Sequence, residues 1–145
     1  MDSLSEAEAY AARLAAIVTN AEDAIISKTL EGRITSWNGA AERMFGYTEP
    51  EVLGQPITII IPKERLFEED EIIRRLHLGQ SIEHFETERI TKDGRLIPIA
   101  LTVSPIRARD GHVVGASKIA RDISAQKRLE RERDELRRLE QAALA

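Results

Sequence analysis

The chain has 145 residues, of which 42% are hydrophobic and 32% charged, a composition that supports one folded core but not two. Its formal net charge is −4 and its basic residues are interleaved with acids, which argues against nucleic acid as the primary partner. The absence of cysteine excludes disulfides, thiolate-bound metals and flavin–thiol adducts. The N-terminus does not have the pattern of a signal peptide and no apolar run is long enough to span a membrane, so we expect a cytoplasmic protein without membrane contact.

The N-terminal segment has the pattern of an amphipathic helix. Ser3 and Glu6 stand at capping-box spacing, which predicts a helix within residues 1–19. Small and apolar residues recur along it at heptad positions a and d. A stripe this narrow is typical of two arrangements, a dimer seam and packing of the helix on its own domain. The stripe consists of Leu4, Ala7, Ala11, Leu14 and Val18.

The next segment has hairpin and then helix signals. Two short β-branched runs, "DAIISKT" at 23–29 and "GRITSW" at 32–37, flank a glycine-containing turn at 30–32, which predicts a hairpin. Asn38 then favours a helix start for "GAAERMF", and Gly46 favours its end.

The middle of the chain predicts two more helices. Thr48 and Glu51 have capping-box spacing around Pro50, which predicts a short helix. After Pro62, apolar residues at helical spacing lie among acids and arginines, and Gly79 favours the end of that longer helix. The apolar residues are Leu66, Phe67, Ile72, Ile73 and Leu76.

The rest of the domain alternates apolar and polar residues in three runs, "EHFETERI", "RLIPIALTVSPI" and "HVVGASKIARDI". Asp-Gly pairs at 93–94 and 110–111 separate them, which predicts a three-stranded antiparallel meander. Two strands, a group of helices and three strands, without regular βαβ alternation, predict an α+β domain whose helices cover one face of an antiparallel sheet.

Residues 20–124 closely resemble a PAS domain of the kind found in bacterial sensor histidine kinases and related regulators. The resemblance rests on "DAIISKTLEGRITSWNGAAERMFGYTEPEVLGQPITIIIP", on "HFETERITKDGRLIPIALTVSPIRARDGHVVGASKIARDIS" and on the segment between them. It implies a five-stranded antiparallel sheet of order 2-1-5-4-3, a pocket between sheet and helices, and a sensory role in signal transduction with a downstream effector domain or kinase as partner.

The end of the PAS-like region also follows the family pattern. The sequence "RDIS" resembles the Asp-Ile-Thr exit motif, with Ser124 in place of Thr. The resemblance therefore implies that Asp122, Ile123 and Ser124 relay a signal from the sheet into a C-terminal helix at 125–145. We expect the Ser124 hydroxyl to cap that helix.

The family includes haem sensors, flavin sensors, metabolite sensors and members that bind nothing. The position of the axial His in haem members falls on Glu69, which is not an ordinary haem ligand. His77 and His84 are close enough in sequence to leave a shifted ligand open, but these two and His112 are typical of solvent-exposed histidines. Light-sensing flavin members use a cysteine that this chain lacks, and noncovalent flavin binding stays open. We predict no cofactor and no metal site.

Lys118 is the polar candidate for the interior. Alternation along the last strand puts Ala116, Lys118 and Ala120 on the face that the family pattern makes the inner one. A buried ammonium needs a partner or loses its charge. Two interpretations stay open: Lys118 binds a carboxylate or phosphate ligand, or it reaches the sheet edge or an acid of the long helix. Those acids are Glu68, Glu69 and Glu71.

Aliphatic residues on the predicted inner faces either line a cavity or fill it as an ordinary core, and we expect an empty or very small pocket. Trp37, the only tryptophan, is also consistent with a place on the outer face. The candidate pocket residues are Phe45, Ile60, Ile73, Leu76, Leu101, Val103, Ala116 and Lys118.

The sequence has no catalytic motif that we can recognise. It lacks a glycine-rich phosphate loop, a supported Ser/His/Asp arrangement and a His-Glu-x-x-His metal pair. A kinase would also need an ATP-binding domain and a phosphoacceptor helix, for which no length remains. We predict the sensor part of a histidine kinase or another regulator rather than an enzyme.

The C-terminal segment predicts a weak coiled coil. With Leu129 at position a, Leu136 also falls at a and Leu139 at d, but Glu132 interrupts the d positions. In a parallel dimer the flanking g and e positions would pair like charges. Within one helix, Arg131 with Glu135 and Asp134 with Arg138 are favourable i,i+4 pairs.

Our leading hypothesis is a homodimeric PAS module that relays a conformational signal through its C-terminal helix. The alternatives are a haem- or flavin-dependent redox or gas sensor and a domain that binds a small metabolite through Lys118. Besides the N-terminal stripe, the predicted dimer interface comprises Ile25, Ile119, Leu129, Leu136 and Leu139.

Overall fold

The computed structural model describes residues 22–144, in which the predicted hairpin and meander join in one antiparallel sheet. The strands are β1 (Ala24–Thr29), β2 (Ile34–Trp37), β3 (Ile82–Ile90), β4 (Leu96–Arg107) and β5 (Val113–Asp122). Their order in the sheet is β2-β1-β5-β4-β3, which confirms the order that the resemblance implied. The last strand is therefore the central one. The N-terminal helix and its stripe Leu4, Ala7, Ala11, Leu14 and Val18 lie outside the described residues.

The helices lie mainly between the second and third strands. They are α1 (Gly39–Phe45), α2 (Glu49–Val52), α3 (Leu66–His77) and, after the sheet, α4 (Ser124–Leu144), with short 3₁₀ helices at Ile57–Ile60 and Lys63–Arg65. Asn38 caps α1 as predicted, because its side chain accepts a hydrogen bond from the backbone N–H of Ala41 at 2.9 Å. Within residues 22–144, no helix has both the length and the apolar character needed to cross a bilayer.

One face of the sheet packs against the helices and forms the core. Inward residues alternate along β1 and β4, as strand geometry requires when only one face is covered. Trp37 belongs to this core and not to the outer face, since its ring lies 5.5 Å from that of Phe45 and its Nε1 donates to the carbonyl of Tyr47 at 3.0 Å.

Strands β1 and β5 pair as antiparallel neighbours along the whole length of β1. Ile25 is opposite Ile119 on the outer face, and Lys28 is opposite Ala116 on the inner face. At the end of this ladder a Cβ on Gly115 would lie 2.4 Å from the carbonyl oxygen of Lys28. Only glycine fits at this position, so Gly115 allows the backbones of β1 and β5 to approach closely beside Lys28.

Candidate functional site

Three charged side chains meet in the interior between α3 and the sheet. Glu69 of α3 is buried, and it faces Lys28 of β1 and Lys118 of β5, whose exposed fractions are 1% and 3%. Lys118 Nζ lies 3.0 Å from Glu69 Oε2, and Lys28 Nζ contacts Glu69 Oε1. We call these residues the lysine–glutamate triad. One carboxylate therefore serves two buried ammonium groups.

Strand alternation explains why both lysines point inward. Lys28 has the same parity on β1 as the buried Ala24 and Ile26, and Lys118 lies between the buried Ala116 and Ala120 on β5. Lys118 thus has the inward orientation predicted for it, and it pairs with one of the acids considered. Its role in holding a ligand stays a prediction.

Burial shifts the protonation of both lysines. Loss of hydration, together with the charge of Lys118 beside it, lowers the pKa of Lys28 to about 6. Loss of hydration, together with the charge of Arg89, lowers the pKa of Lys118 to about 7. Both lysines therefore hold their protons less tightly than a solvent-exposed lysine does.

A second buried cluster adjoins the triad, one residue earlier on α3. Glu68 accepts hydrogen bonds from Arg89 Nη1 at 2.8 Å, from Thr87 Oγ1 at 2.8 Å and from Arg65 Nη1 at 2.9 Å. Burial alone would raise the pKa of Glu68, but these bonds outweigh it and lower the pKa. We call Arg65, Glu68, Thr87 and Arg89 the arginine–glutamate cluster.

The predicted pocket residues lie among the buried aliphatic side chains. Ile73 is an exception, because it is only half-buried. Whether the set lines a ligand cavity stays a prediction. The buried aliphatic and aromatic members are Phe45, Ile60, Leu76, Leu101, Val103 and Ala116.

Two grooves open on either side of the arginine–glutamate cluster. One, of about 530 Å³, runs between α3 and β3, and its wall includes Glu68 together with Phe67 and Phe85. The other, of about 620 Å³, lies where α4 leaves the sheet and includes Arg65 and Thr87. The cluster therefore connects the surface beside α3 with the root of α4.

The residues present do not fit a haem. The resemblance described above puts Glu69 at the position of the axial ligand of haem members; a carboxylate is not an ordinary haem ligand, and lysines engage both of its oxygens. His77, His84 and His112 are all exposed. His84 has a φ of 53° where the pairing of β3 with β4 shifts register, so its side chain belongs to an edge irregularity.

The exit from the sheet differs in one respect from the prediction. Helix α4 begins at Ser124, but the Ser124 hydroxyl does not act as the capping acceptor. The carboxylate of Asp122 accepts from the backbone N–H of Ser124 at 2.8 Å and from its hydroxyl at 2.5 Å. Ile123 between them is buried and donates its N–H to the carbonyl of Pro98 at 3.0 Å. Asp122, two residues before Ser124, therefore caps α4, because its carboxylate accepts from a backbone N–H of the first turn that has no partner within the helix.

Helix α4 has no buried residue. Leu129, Leu136 and Leu139 are 66%, 61% and 56% exposed. Lys127 ties the root of the helix to the sheet, with its Nζ 2.6 Å from Glu86 Oε1 on β3. The remainder of the helix projects away from these contacts.

Two details of the predicted surfaces also emerge. Arg138 pairs with Glu135, three residues earlier, at 2.5 Å, rather than with the predicted Asp134.

Ile119 is 39% exposed on the outer face of the sheet, and Ile25 opposite it is half-buried. Both therefore remain candidates for an interface.

Sequence reasoning missed Lys28, Thr87 and Arg89. Alternation could have found Lys28, which has the parity of the buried Ala24 and Ile26 on β1. On β3 the signal is weaker, because Thr87 and Arg89 share their parity with the half-buried Phe85 and not with the buried Ile82. Residues of this chemistry are usually placed on the solvent side, and their carboxylate partners lie far away in sequence.

Comparisons with known proteins agree with this fold. A family model described as the PAS fold matches residues 12–123. The signal transduction histidine-protein kinase AtoS of Escherichia coli is 29% identical over 123 residues, which are 85% of this chain and 20% of that kinase. The chain thus spans about a fifth of the length of that relative.

Solved structures of PAS domains superimpose well. A PAS domain from Colwellia psychrerythraea has a TM-score of 0.73 at 27% identity, with coverage of 80% of this chain and 98% of that one. An RNA-binding light-oxygen-voltage receptor has a TM-score of 0.74 at 20% identity, with coverage of 92% and 38%. The second likeness concerns the fold alone.

Proposed function

This chain belongs to the PAS family, and from that premise we propose that it is a sensory module that forms a homodimer and passes a conformational change along α4 to an effector such as a histidine kinase. Its relation to sensor histidine kinases supports the choice of effector. We propose no catalytic role for the chain itself.

The observation that most directly supports this proposal is α4, which follows the central strand β5 and has exposed leucines. Leu129, Leu136 and Leu139 lie on one heptad stripe and have no partner among residues 22–144. Such a stripe is stable in water when a second helix covers it. A second copy of this chain supplies the same stripe, which favours a symmetric pair of α4 helices.

Signal relay requires that the pair of helices has two arrangements of similar free energy. Glu132 at a d position and like charges at the flanking positions keep the seam weak. Ligands can shift only equilibria whose states differ by a few kcal/mol. A weak seam suits a relay for that reason, and Ile123 with the Lys127–Glu86 ion pair forms the rigid connection to the sheet.

The chain contains no cysteine, so disulfide trapping can test the dimer directly. Leu136→Cys places a thiol on the proposed seam, and Asp134→Cys places one at the outward f position of the same heptad. We expect Leu136→Cys to form a crosslinked dimer under mild oxidation and Asp134→Cys to stay mostly uncrosslinked. Light scattering should give the mass of two chains for the unmodified protein at high micromolar concentration. A monomeric mass, or equal crosslinking of both variants, would refute the homodimer.

We further propose that the module works without haem or flavin. Glu69 is committed to two lysines, and the chain lacks the thiol that a flavin adduct needs. The likeness to a light-oxygen-voltage receptor makes this worth testing. The purified protein, incubated with haemin or flavin mononucleotide and then desalted, should show no absorbance beyond the aromatic band; a retained chromophore would contradict the proposal.

A further inference from the structure

The lysine–glutamate triad has two groups that can carry a positive charge and one that can carry a negative charge. Lys28 and Lys118 bind the two oxygens of Glu69 from β1 and β5, and all three side chains are buried. A charge in the interior is unfavourable without an opposite charge or the loss of a proton. The triad is therefore electrically balanced when one lysine is protonated and the other is neutral.

No neighbouring group of the described chain supplies a second anion. The other buried ionisable residues within 22–144 are Glu68 and Arg89, which bind each other at 2.8 Å. Arg89 opposes the protonation of Lys118, and Glu68 favours it. The residues that pair with the two lysines on β2 and β4 are Ile34 and Val103, and the buried residues of α1 are all apolar. The charge of the triad thus depends on its own protons.

One contact within the triad indicates which lysine is neutral. The two amino groups hydrogen-bond with each other, and this contact lowers the pKa of Lys28 while it partly offsets the effect of burial on the pKa of Lys118. An ammonium group has three donors and no acceptor, so the bond requires a neutral amine as its acceptor. Lys118 is then the donor and Lys28 the acceptor. A second proton binds to Lys28, in a step separate from the first.

The triad is connected to the start of α4. Lys118 and Asp122 lie on the same strand, β5, and Asp122 accepts from the backbone N–H of Ser124 at 2.8 Å. Glu69 joins that strand to α3 through its contact with Lys118. A second ammonium beside the first repels it and competes for the single carboxylate. A second proton therefore weakens the contact between α3 and β5, and β5 leads directly to Asp122.

We propose that the triad is a proton-operated switch, in which Lys28 takes up a proton from solvent on acidification and the second ammonium moves β5 relative to α3 and alters the start of α4. The proton adds to the lone pair of Lys28 Nζ, which then no longer accepts from Lys118. Loss of hydration lowers the pKa of Lys28 to about 6, which supports a response below neutral pH. The inference rests on the proposed function and deepens it, because it names the proton as the signal that α4 transmits.

The first experiment follows the side-chain ¹³Cε resonances of the lysines by NMR, in the full chain, from about pH 9 to about pH 5. The variants Lys28→Met and Lys118→Met assign the two buried resonances. Lys28 should titrate with a midpoint below about 8, whereas exposed lysines should remain charged over the whole range because their ordinary pKa is 10.5. A Lys28 that stays charged, or stays neutral, from one end of the range to the other overturns the proposal.

The second experiment removes the exchangeable proton and keeps a balanced ion pair. In Lys118→Met, Lys28 has Glu69 to itself, so it should stay charged over the same pH range. The backbone amides of residues 122–127 should shift with pH in the unmodified chain, with the midpoint of Lys28, and should lose most of that shift in Lys118→Met. The control Lys63→Met, which removes an exposed lysine, should behave like the unmodified chain. All three histidines remain in these variants, so an equal shift in Lys118→Met overturns the switch.

The variant Lys28→Met keeps the test decisive if Lys118→Met does not fold. It leaves Lys118 and Glu69 as a balanced pair and should also lose most of the pH-dependent shift of residues 122–127. If neither variant folds, the unmodified chain decides, because amides of 122–127 whose midpoint differs from that of Lys28 exclude the coupling. These measurements need no dimer and the disulfide trapping of α4 needs no titration, so the two proposals fail separately.

Discussion

The lysine–glutamate triad predicts that its acid and its lysines respond to mutation in unlike ways. Glu69 engages both buried lysines, so Glu69→Leu leaves two ammonium groups without a partner. Removing one partner from a buried ion pair costs about 3–5 kcal/mol. By contrast, Lys118→Met leaves Lys28 and Glu69 as a balanced pair, and we expect unfolding free energy to change by less than about 1 kcal/mol.

Proton release sets an upper limit to the penalty in Glu69→Leu. A lysine deprived of its carboxylate can deprotonate, at about 1.4 kcal/mol for each pH unit below its ordinary pKa of 10.5. At pH 5.5, where both lysines of the unmodified protein are protonated, that limit is about 7 kcal/mol for each lysine. A domain is typically stable by only about 5–15 kcal/mol, so Glu69→Leu should remove a large share of the stability.

The assay is urea unfolding at pH 5.5, below the pKa of both buried lysines so that both carry their charge, followed by the fluorescence of Trp37, the only tryptophan, which is buried in the core. The triple variant Glu69→Leu/Lys28→Met/Lys118→Met is the matched control, because it replaces the whole triad by apolar side chains of similar size. It should recover most of the stability that Glu69→Leu loses. A loss below about 1 kcal/mol in Glu69→Leu, or an equal loss in Lys118→Met, would refute the reasoning.

Three further predictions concern pH, strand spacing and the helix start. Because burial lowers the pKa of Lys28 to about 6 and of Lys118 to about 7, the unfolded chain binds more protons than the folded chain up to 10.5. The urea midpoint should therefore rise from pH 7 to pH 9 and fall below pH 7, and a flat profile in the unmodified protein would contradict this. Gly115→Ala should cost at least about 2 kcal/mol in the same assay, because its Cβ would meet a carbonyl oxygen at 2.4 Å, whereas Ser117→Ala should be nearly neutral. Asp122→Ala should cost about 1 kcal/mol and speed hydrogen exchange in the first turn of α4, with the core amides unchanged; protection equal to that of the unmodified chain would exclude the capping role.

The strands were predictable because each carries its own signal. The Asp-Gly turns at 93–94 and 110–111 and the alternation of the runs around them gave the meander to within a residue or two. The same alternation oriented Lys118 correctly, since its neighbours Ala116 and Ala120 are small and apolar. Local periodicity suffices wherever one face of a strand is buried.

The buried charges were harder to predict, because their partners are distant. Glu69 is 41 residues from Lys28 and 49 from Lys118, and nothing in the local sequence joins them. A lysine near the end of a strand usually extends to solvent, so the parity of Lys28 alone does not predict its burial. Arg89 lies on an edge strand with a register shift at its start, and its neighbours Glu86 and Glu88 favour a solvated interpretation.

Magnitudes limit where the signal of the proposed relay can originate. A change from 1:99 to 99:1 between two arrangements requires about 5.5 kcal/mol of differential binding. Exposed ion pairs on α4, such as Arg138 with Glu135, contribute at most about 1 kcal/mol each and are screened by salt. A buried charge that gains or loses its counter-ion changes free energy by about 3–5 kcal/mol, which approaches the required amount. In the proposed relay, Lys118 lies on the strand that ends at Asp122 and leads into α4, so a change in the charge compensation of the buried lysines would have both the size and the connection to bias the helix.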